Sequence, residues 1–288
     1  ASLPTTSIAK ISLLPGSQSV AYGAGATGGV LWIDTKEATP QENFSSAINL
    51  GSFGTLQHTN TLAFYSDKIK VFTFLSGVQT DGIPKRFTQR SLGEENPFES
   101  LNLGTKINIS PHKDLEITLS LQHFKNELTY DSYINYRENN LKGPPDSLKQ
   151  SRTSVLSSHI EYAHTKTFKH TIITGVSKNF STFLEPSNKN SYNTTINFAQ
   201  YKSTFSLHQN HTLNLIGDWR QDNYESPFQK NATLNLLGLG TFYTFNKPNA
   251  FRIEIGGRFS QYRPKTRTFN YSLGLRLPIN NNFHINNN

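Results

Sequence analysis

An all-β chain, folded as an antiparallel barrel that crosses a membrane, is predicted by three observations. Segments of about ten residues alternate apolar and polar side chains, residues such as Asn, Asp, Gly, Pro and Ser punctuate them, and the connections alternate between short and long. Composition points the same way. Aromatics make up 12% of the 288 residues and charged groups 17%, and aromatic and β-branched side chains suit a pleated surface. The mean hydropathy of −0.51 fits a barrel whose strands face lipid on one side and a polar lumen on the other.

The same composition removes other classes. No run approaches the ~20 apolar residues of a transmembrane helix, and the opening ASLPTTSIAK has no basic segment followed by an apolar core. With no Cys, neither a disulfide framework nor a thiolate metal site is available. Met is also absent, position 1 included, which points to a processed chain or an excerpt of a longer one. The formal charge of +8 is spread along the chain without a basic cluster or nucleic-acid motif. It is assigned to loops and a polar lumen, with no nucleic-acid partner.

The period of two is clearest in three stretches. Leu115, Ile117, Leu119 and Leu121 oppose Glu116, Thr118 and Ser120. Phe251, Ile253, Ile255 and Phe259 oppose Arg252, Glu254 and Arg258, and Phe269, Tyr271, Leu273, Leu275 and Leu277 oppose Asn270, Ser272 and Arg276. Applied along the chain, the template gives about twelve strands of membrane-crossing length. They fall at 43–52, 56–65, 69–80, 99–109, 115–127, 153–165, 169–180, 191–206, 211–224, 233–245, 250–263 and 267–278. The phase is ambiguous at Lys70–Phe74 and Thr171–Val176, where apolar residues run consecutively. Short turns at 66–68, 110–114, 208–210 and 246–249 alternate with longer stretches at 81–98, 128–152, 181–190 and 225–232. A soluble sandwich has no reason to sort its connections in this way. Phe124, Tyr130, Phe168, Phe180, Tyr224, Phe245 and Tyr262, near strand ends, suit interfacial girdles.

The first forty residues differ. Gly23-Ala-Gly25-Ala-Thr-Gly28 spells G-x-G-x-x-G, but a dinucleotide site needs a strand before it and a helix after it. The continuation Gly29-Val-Leu-Trp-Ile-Asp-Thr-Lys36 is a strand sequence, so the nucleotide function fails.

What this stretch resembles is the end of the plug domain of TonB-dependent outer-membrane receptors. The resemblance runs from Ile8 through Gln18-Ser19-Val20-Ala-Tyr22-Gly23-Ala-Gly25-Ala-Thr-Gly28-Gly29-Val30 to Thr35-Lys36. Pro15-Gly16-Ser17 replaces the family's Arg-Gly-Pro, and Trp32 stands where Asn is usual. Gly51-Ser-Phe-Gly54-Thr55 is similar to the family's turn between the first two barrel strands. Ser76-Gly77 with Thr80-Asp81-Gly82 is similar to the end of its third strand.

The resemblance implies a division into 1–40, the C-terminal remnant of the plug, and 41–288, the N-terminal part of the barrel. It covers about twelve of the roughly twenty-two strands such a barrel holds. The plug motif Gln18, Ser19, Tyr22, Gly23, Gly25, Gly28 and Gly29 then has a structural role, with Gln18 and Tyr22 buried against the wall. A half barrel leaves two open edges, which lipid does not tolerate. The chain is therefore expected to act as an excerpt or split part of a longer receptor, or as an inactive remnant.

By the same resemblance the function is uptake of a metal chelate across the bacterial outer membrane. A ferric siderophore or ferric citrate is favoured, with nickel chelates, haem and cobalamin as alternatives. The TonB complex would supply energy through a segment outside this chain, and lipid and lipopolysaccharide would surround it. Lys85, Arg86, Arg90, Arg137 and Lys142, with Lys149 and Arg152 beside them, lie in or beside long polar stretches. They either attract an anionic chelate or contact solvent and lipopolysaccharide phosphates. The nine His are scattered and form no paired ligand motif. Without G-x-S-x-G or an acid pair, no enzyme, catalytic residue, metal site or cofactor is expected.

Overall fold

Alternation of apolar and polar side chains lets each strand satisfy two environments while its backbone pairs with its neighbours. In the computed structural model this produces one long meander. The structure describes residues 5–15, 19–23, 26, 28–41, 43–82, 96–130, 147–185, 188–229, 231–248, 250–263, 266–280 and 283–287.

After a 3-10 turn at Thr5–Ser7, β1 (Ile8–Pro15) pairs antiparallel with β2 (Gly29–Thr35) as a separate two-stranded sheet. A single helical turn, α1 (Ser19–Tyr22), lies between them. The large sheet then runs β3 (Phe44–Gly51), β4 (Thr55–Tyr65), β5 (Ile69–Thr80), β6 (Phe98–His112), β7 (Leu115–Tyr130) and β8 (Ser147–Thr165). It continues with β9 (Phe168–Glu185), β10 (Asn188–His208), β11 (His211–Glu225), β12 (Ala232–Lys247), β13 (Phe251–Arg263), β14 (Thr266–Asn280) and β15 (Phe283–Asn287). Every strand pairs with the next in sequence, and β3 and β15 are the two edges of this 13-stranded sheet.

The two faces differ as a lipid-facing barrel wall requires. Leu62, Leu103, Leu121, Leu156, Leu239 and Leu273 point outward and are exposed, whereas Ser76, Ser100, Asn102, Asn108 and Thr153 are buried on the inner face. Several of those inner groups bond across strands: Ser100 donates to Asn126 Oδ1 (2.7 Å), Asn108 to Thr118 Oγ1 (2.9 Å) and Asn179 to Thr153 Oγ1 (2.7 Å). Register resolves both ambiguous phases. Lys70 opposes Asn108 and Thr171 opposes Glu161, so Lys70, Phe72 and Phe74 turn inward together, as do Thr171, Ile173 and Gly175.

Three sequence expectations need correction. The polar stretch 181–190 is a paired hairpin, with Thr182 opposite Ser191 and Phe183 opposite Asn190, and the ends of 128–152 belong to β7 and β8. Strands standing in water need no apolar face, so alternation cannot detect them. At 21 residues β10 spans ~70 Å at ~3.3 Å per residue, well beyond the ~30 Å hydrocarbon core. The connection between β13 and β14 is also short, which breaks the sorting by length at that end. Finally, Phe124 is only 2% exposed. It shares its inward face with Thr118 and Gln122, and Tyr262 shares the inner face with Arg258, so neither can join an outer girdle.

The linker after β2 is fastened to the wall. Ala38 packs with Ala63, Phe72 and Phe74, and Lys106 Nζ lies 2.6 Å from Glu37 Oε1. At the long-loop end, two sequence anchors meet. Asp81 N–H donates to Phe53 O (3.0 Å) and Thr55 Oγ1 donates to Thr80 Oγ1 (2.8 Å), closing the Gly51–Thr55 turn against Thr80–Gly82.

Candidate functional site: the plug turn and the wall beneath it

The chain between β1 and β2 must reverse direction within a narrow space. Ser19–Tyr22 makes one helical turn, which Gly23 ends at φ 96°, the left-handed geometry that favours glycine after a helix. Its N–H donates to Ser19 O (3.0 Å), and Gly23 O accepts from Ala26 N–H (3.0 Å). At Gly29 (φ 133°) any Cβ would sit 2.6 Å from Leu14 O, so glycine lets β2 close onto β1. Gly28 has open space where its Cβ would be. Gln18 and Gly25 lie outside the described residues, as do Lys85, Arg86, Arg90, Arg137 and Lys142. Of the neighbouring cations, Lys149 sits over the Phe183 ring at 5.1 Å and Arg152 is exposed on β8.

The helical turn rests on β12, β13 and β14. Ser19 and Val20 are buried there. The seat is cut by glycines. A Cβ on Gly256 would lie 2.8 Å from Val20 Cγ1, and one on Gly240 would lie 3.3 Å from Val20 O. Tyr22 departs from expectation: it is 48% exposed, and its ring meets Trp32 edge-on at 6.2 Å. Ending the helical turn beside β2 directs the phenol toward Trp32 rather than the wall.

Beneath Gly23 lies a group that the sequence reading placed only on the polar face. Arg258 is 1% exposed. Its Nη2 donates to both Asp218 carboxylate oxygens (2.7 and 2.8 Å), and its Nε donates to Ser260 Oγ (3.0 Å). Nη1 has no partner among the described residues. Gly238, opposite Ser260, is shaped to this pair, because a Cβ there would overlap the guanidinium. Arg220 pairs with Asp222 at 2.7 Å on the same face. Pairing across 40 residues, from β11 to β13, leaves no short-range signal.

Two crevices flank the turn. One of about 700 Å³ is lined by Tyr22, Gly23, Phe198, Asp218, Arg220 and Arg258. The other, about 650 Å³, opens toward the short turns past Lys202, Arg252, Glu254 and Arg276. Among the described residues no cluster of three or more His, Asp or Glu is arranged to hold a metal ion.

A hairpin with one helical turn, lying on the inner face of a long meander, is a fold that superposes on solved siderophore receptors. The ferric-catecholate import receptor Fiu from E. coli K12 superposes with TM-score 0.76 at 11% identity, over 98% of this chain and 54% of that one. The ferric enterobactin receptor PfeA from Pseudomonas aeruginosa gives 0.79 at 12% identity, over 99% and 48%. The siderophore receptor PirA from Acinetobacter baumannii gives 0.77 at 13%, over 99% and 48%. The fold is that of part of a TonB-dependent receptor barrel. The chain spans about half the length of these structures. At such identities the likeness establishes the fold and not the ligand. No protein-family model and no curated protein matches the sequence.

Proposed function

We propose that this chain takes part in TonB-dependent uptake of a ferric chelate, a siderophore or ferric citrate, across the bacterial outer membrane. Residues 1–40 would serve as the end of the plug and 41–288 as barrel wall. The observation that carries this reading is the seat of α1 on β12–β14. Read as a plug element, α1 lies against a wall whose buried groups include Thr244, Arg258 and Ser260, which suits a gated path for a hydrophilic cargo. Siderophores are the ligands of the solved relatives, PfeA among them in complex with enterobactin. The motif of Ser19, Tyr22, Gly23 and Gly29, with Gln18, Gly25 and Gly28, would shape the plug. Lys85, Arg86, Arg90, Arg137 and Lys142 would draw an anionic chelate by their charge.

A second reading is a non-transporting receptor fragment. One growth experiment separates these. A strain lacking the gene is given ferric catecholate, ferric citrate, nickel chelate, haem or cobalamin as the limiting nutrient. The uptake reading expects loss of growth on a ferric chelate that the gene restores. Growth on every supplement without the gene supports the fragment. A defect confined to nickel, haem or cobalamin would move the substrate to that class.

A further inference from the structure

The nine histidines look scattered in the sequence, but the fold gathers four of them. His164, His170, His208 and His211 lie at the short-turn end of β8–β11. His170 opposes Tyr162 and Ser203 on the outward face. Its ring stacks on Tyr162 (6.2 Å) and tilts against Phe168 (4.2 Å), and its Nδ1 is 2.7 Å from the Tyr201 hydroxyl. His164 meets Phe168 edge-on at 6.1 Å. The pattern recurs two strands along. His211 Nδ1 is 2.6 Å from the Tyr243 hydroxyl, its ring is 4.8 Å from Phe245, and His208 is 5.9 Å away. Phe168 stacks on Phe205 (4.4 Å), and Phe245 meets Phe251 (5.3 Å). A band of rings therefore crosses the outer wall just above the turns.

Aromatic rings with polar tips suit the boundary between hydrocarbon and headgroups. Two features go beyond an ordinary aromatic belt. In each His–Tyr pair Nδ1 lies at hydrogen-bond distance from the phenol; with the phenol donating to Nδ1, Nε2 carries the ring proton and faces an outside acceptor. The charge is also one-sided. Segments 163–170, 205–213 and 243–253 contain no Asp or Glu, and they hold Lys166, Lys169, Lys247 and Arg252. Lys169 pairs with Glu161 and Arg252 with Glu254, whereas Lys166 and Lys247 make no ion pair among the described residues.

We propose that this band binds the headgroups of anionic phospholipids at the short-turn rim. The unpaired lysines would attract the net negative charge, the imidazole Nε2 groups would meet phosphate oxygens, and the rings would pack on the upper acyl chain. The proposal rests on the outer face of the sheet lying in lipid.

The test uses the full chain in dodecylmaltoside micelles with ring-labelled histidine, followed by NMR. Dihexanoyl-phosphatidylglycerol, dihexanoyl-phosphatidylcholine and inorganic phosphate are titrated separately. Phosphatidylglycerol is expected to shift the resonances of His164, His170, His208 and His211. His58 and His123, nearer the opposite end, should stay still. Phosphatidylcholine and phosphate should each need about tenfold more for the same shift, and K166Q/K247Q should weaken phosphatidylglycerol by about tenfold. Equal binding of the two lipids, an unaffected double variant, or phosphate matching phosphatidylglycerol would each overturn the proposal. If neither lipid moves any of the four histidines, the lipid-facing reading of this wall fails with it.

Discussion

Removing the carboxylate of Asp218 is the sharpest perturbation the wall offers. Arg258 is 1% exposed, and its Nη2 bonds go only to Asp218. In Asp218→Ala the guanidinium keeps only its Nε bond to Ser260, because Nη1 already lacks a partner. A buried charge left without its counter-charge costs ~3–5 kcal/mol, whereas replacing both members by apolar groups is often near neutral. With an m-value of ~2–3 kcal/mol per M urea, the single variant should lower the unfolding midpoint by ~1–2 M. Urea titration of the detergent-folded chain, followed by Trp219 fluorescence on the same strand as Asp218, reads this shift. D218A/R258M should recover most of the loss. A single-variant shift below ~0.3 M would refute the reasoning, as would a double variant no better than the single.

Other expectations follow from the same geometry. Gly256→Val should push Val20 from its seat at an overpacking cost of ~1–3 kcal/mol, seen as faster trypsin cleavage after Lys10 with the barrel strands still protected. Leu273→Arg, on the outward face at 68% exposure, should impair folding into lipid vesicles by up to ~2–4 kcal/mol if that position sits near the bilayer midplane. A wild-type folding yield would argue against a lipid-facing wall. Phe72→Ala, in the cluster beneath Ala38, should cost ~3–5 kcal/mol in the same urea assay. With β3 and β15 as open edges, the chain alone should migrate as an unfolded band in SDS without heating. A heat-modifiable compact band would contradict that.

Period-two patterning placed twelve of the thirteen described strands of the large sheet, all but β15, because an apolar outer face and a polar inner face impose it directly. β5 ends where the sequence reading put it, Ile69–Thr80. The pattern faded where the physics behind it fades. Toward the long-loop end, Thr182 and Ser191 form part of a ladder in which apolar and polar residues are mixed on each face, so they resembled a loop. The stretch from Ser19 to Gly29 was legible as a chain reversal, since Gly23 and Gly29 hold geometries that favour glycine. Tyr22 was not, because its exposure depends on Trp32, a partner on another element. Nor was the Arg258–Asp218 pair or the histidine band, which exist only once register brings β8 to β13 side by side.

The central claim is uptake of a ferric chelate, and transport itself tests it most directly. Radioiron-labelled ferric catecholate and ferric citrate are supplied to cells with and without the gene, in the presence and absence of a protonophore. Uptake of one chelate should depend on the gene and collapse when the proton gradient is dissipated. Equal, gradient-independent accumulation of both chelates in the two strains would contradict it.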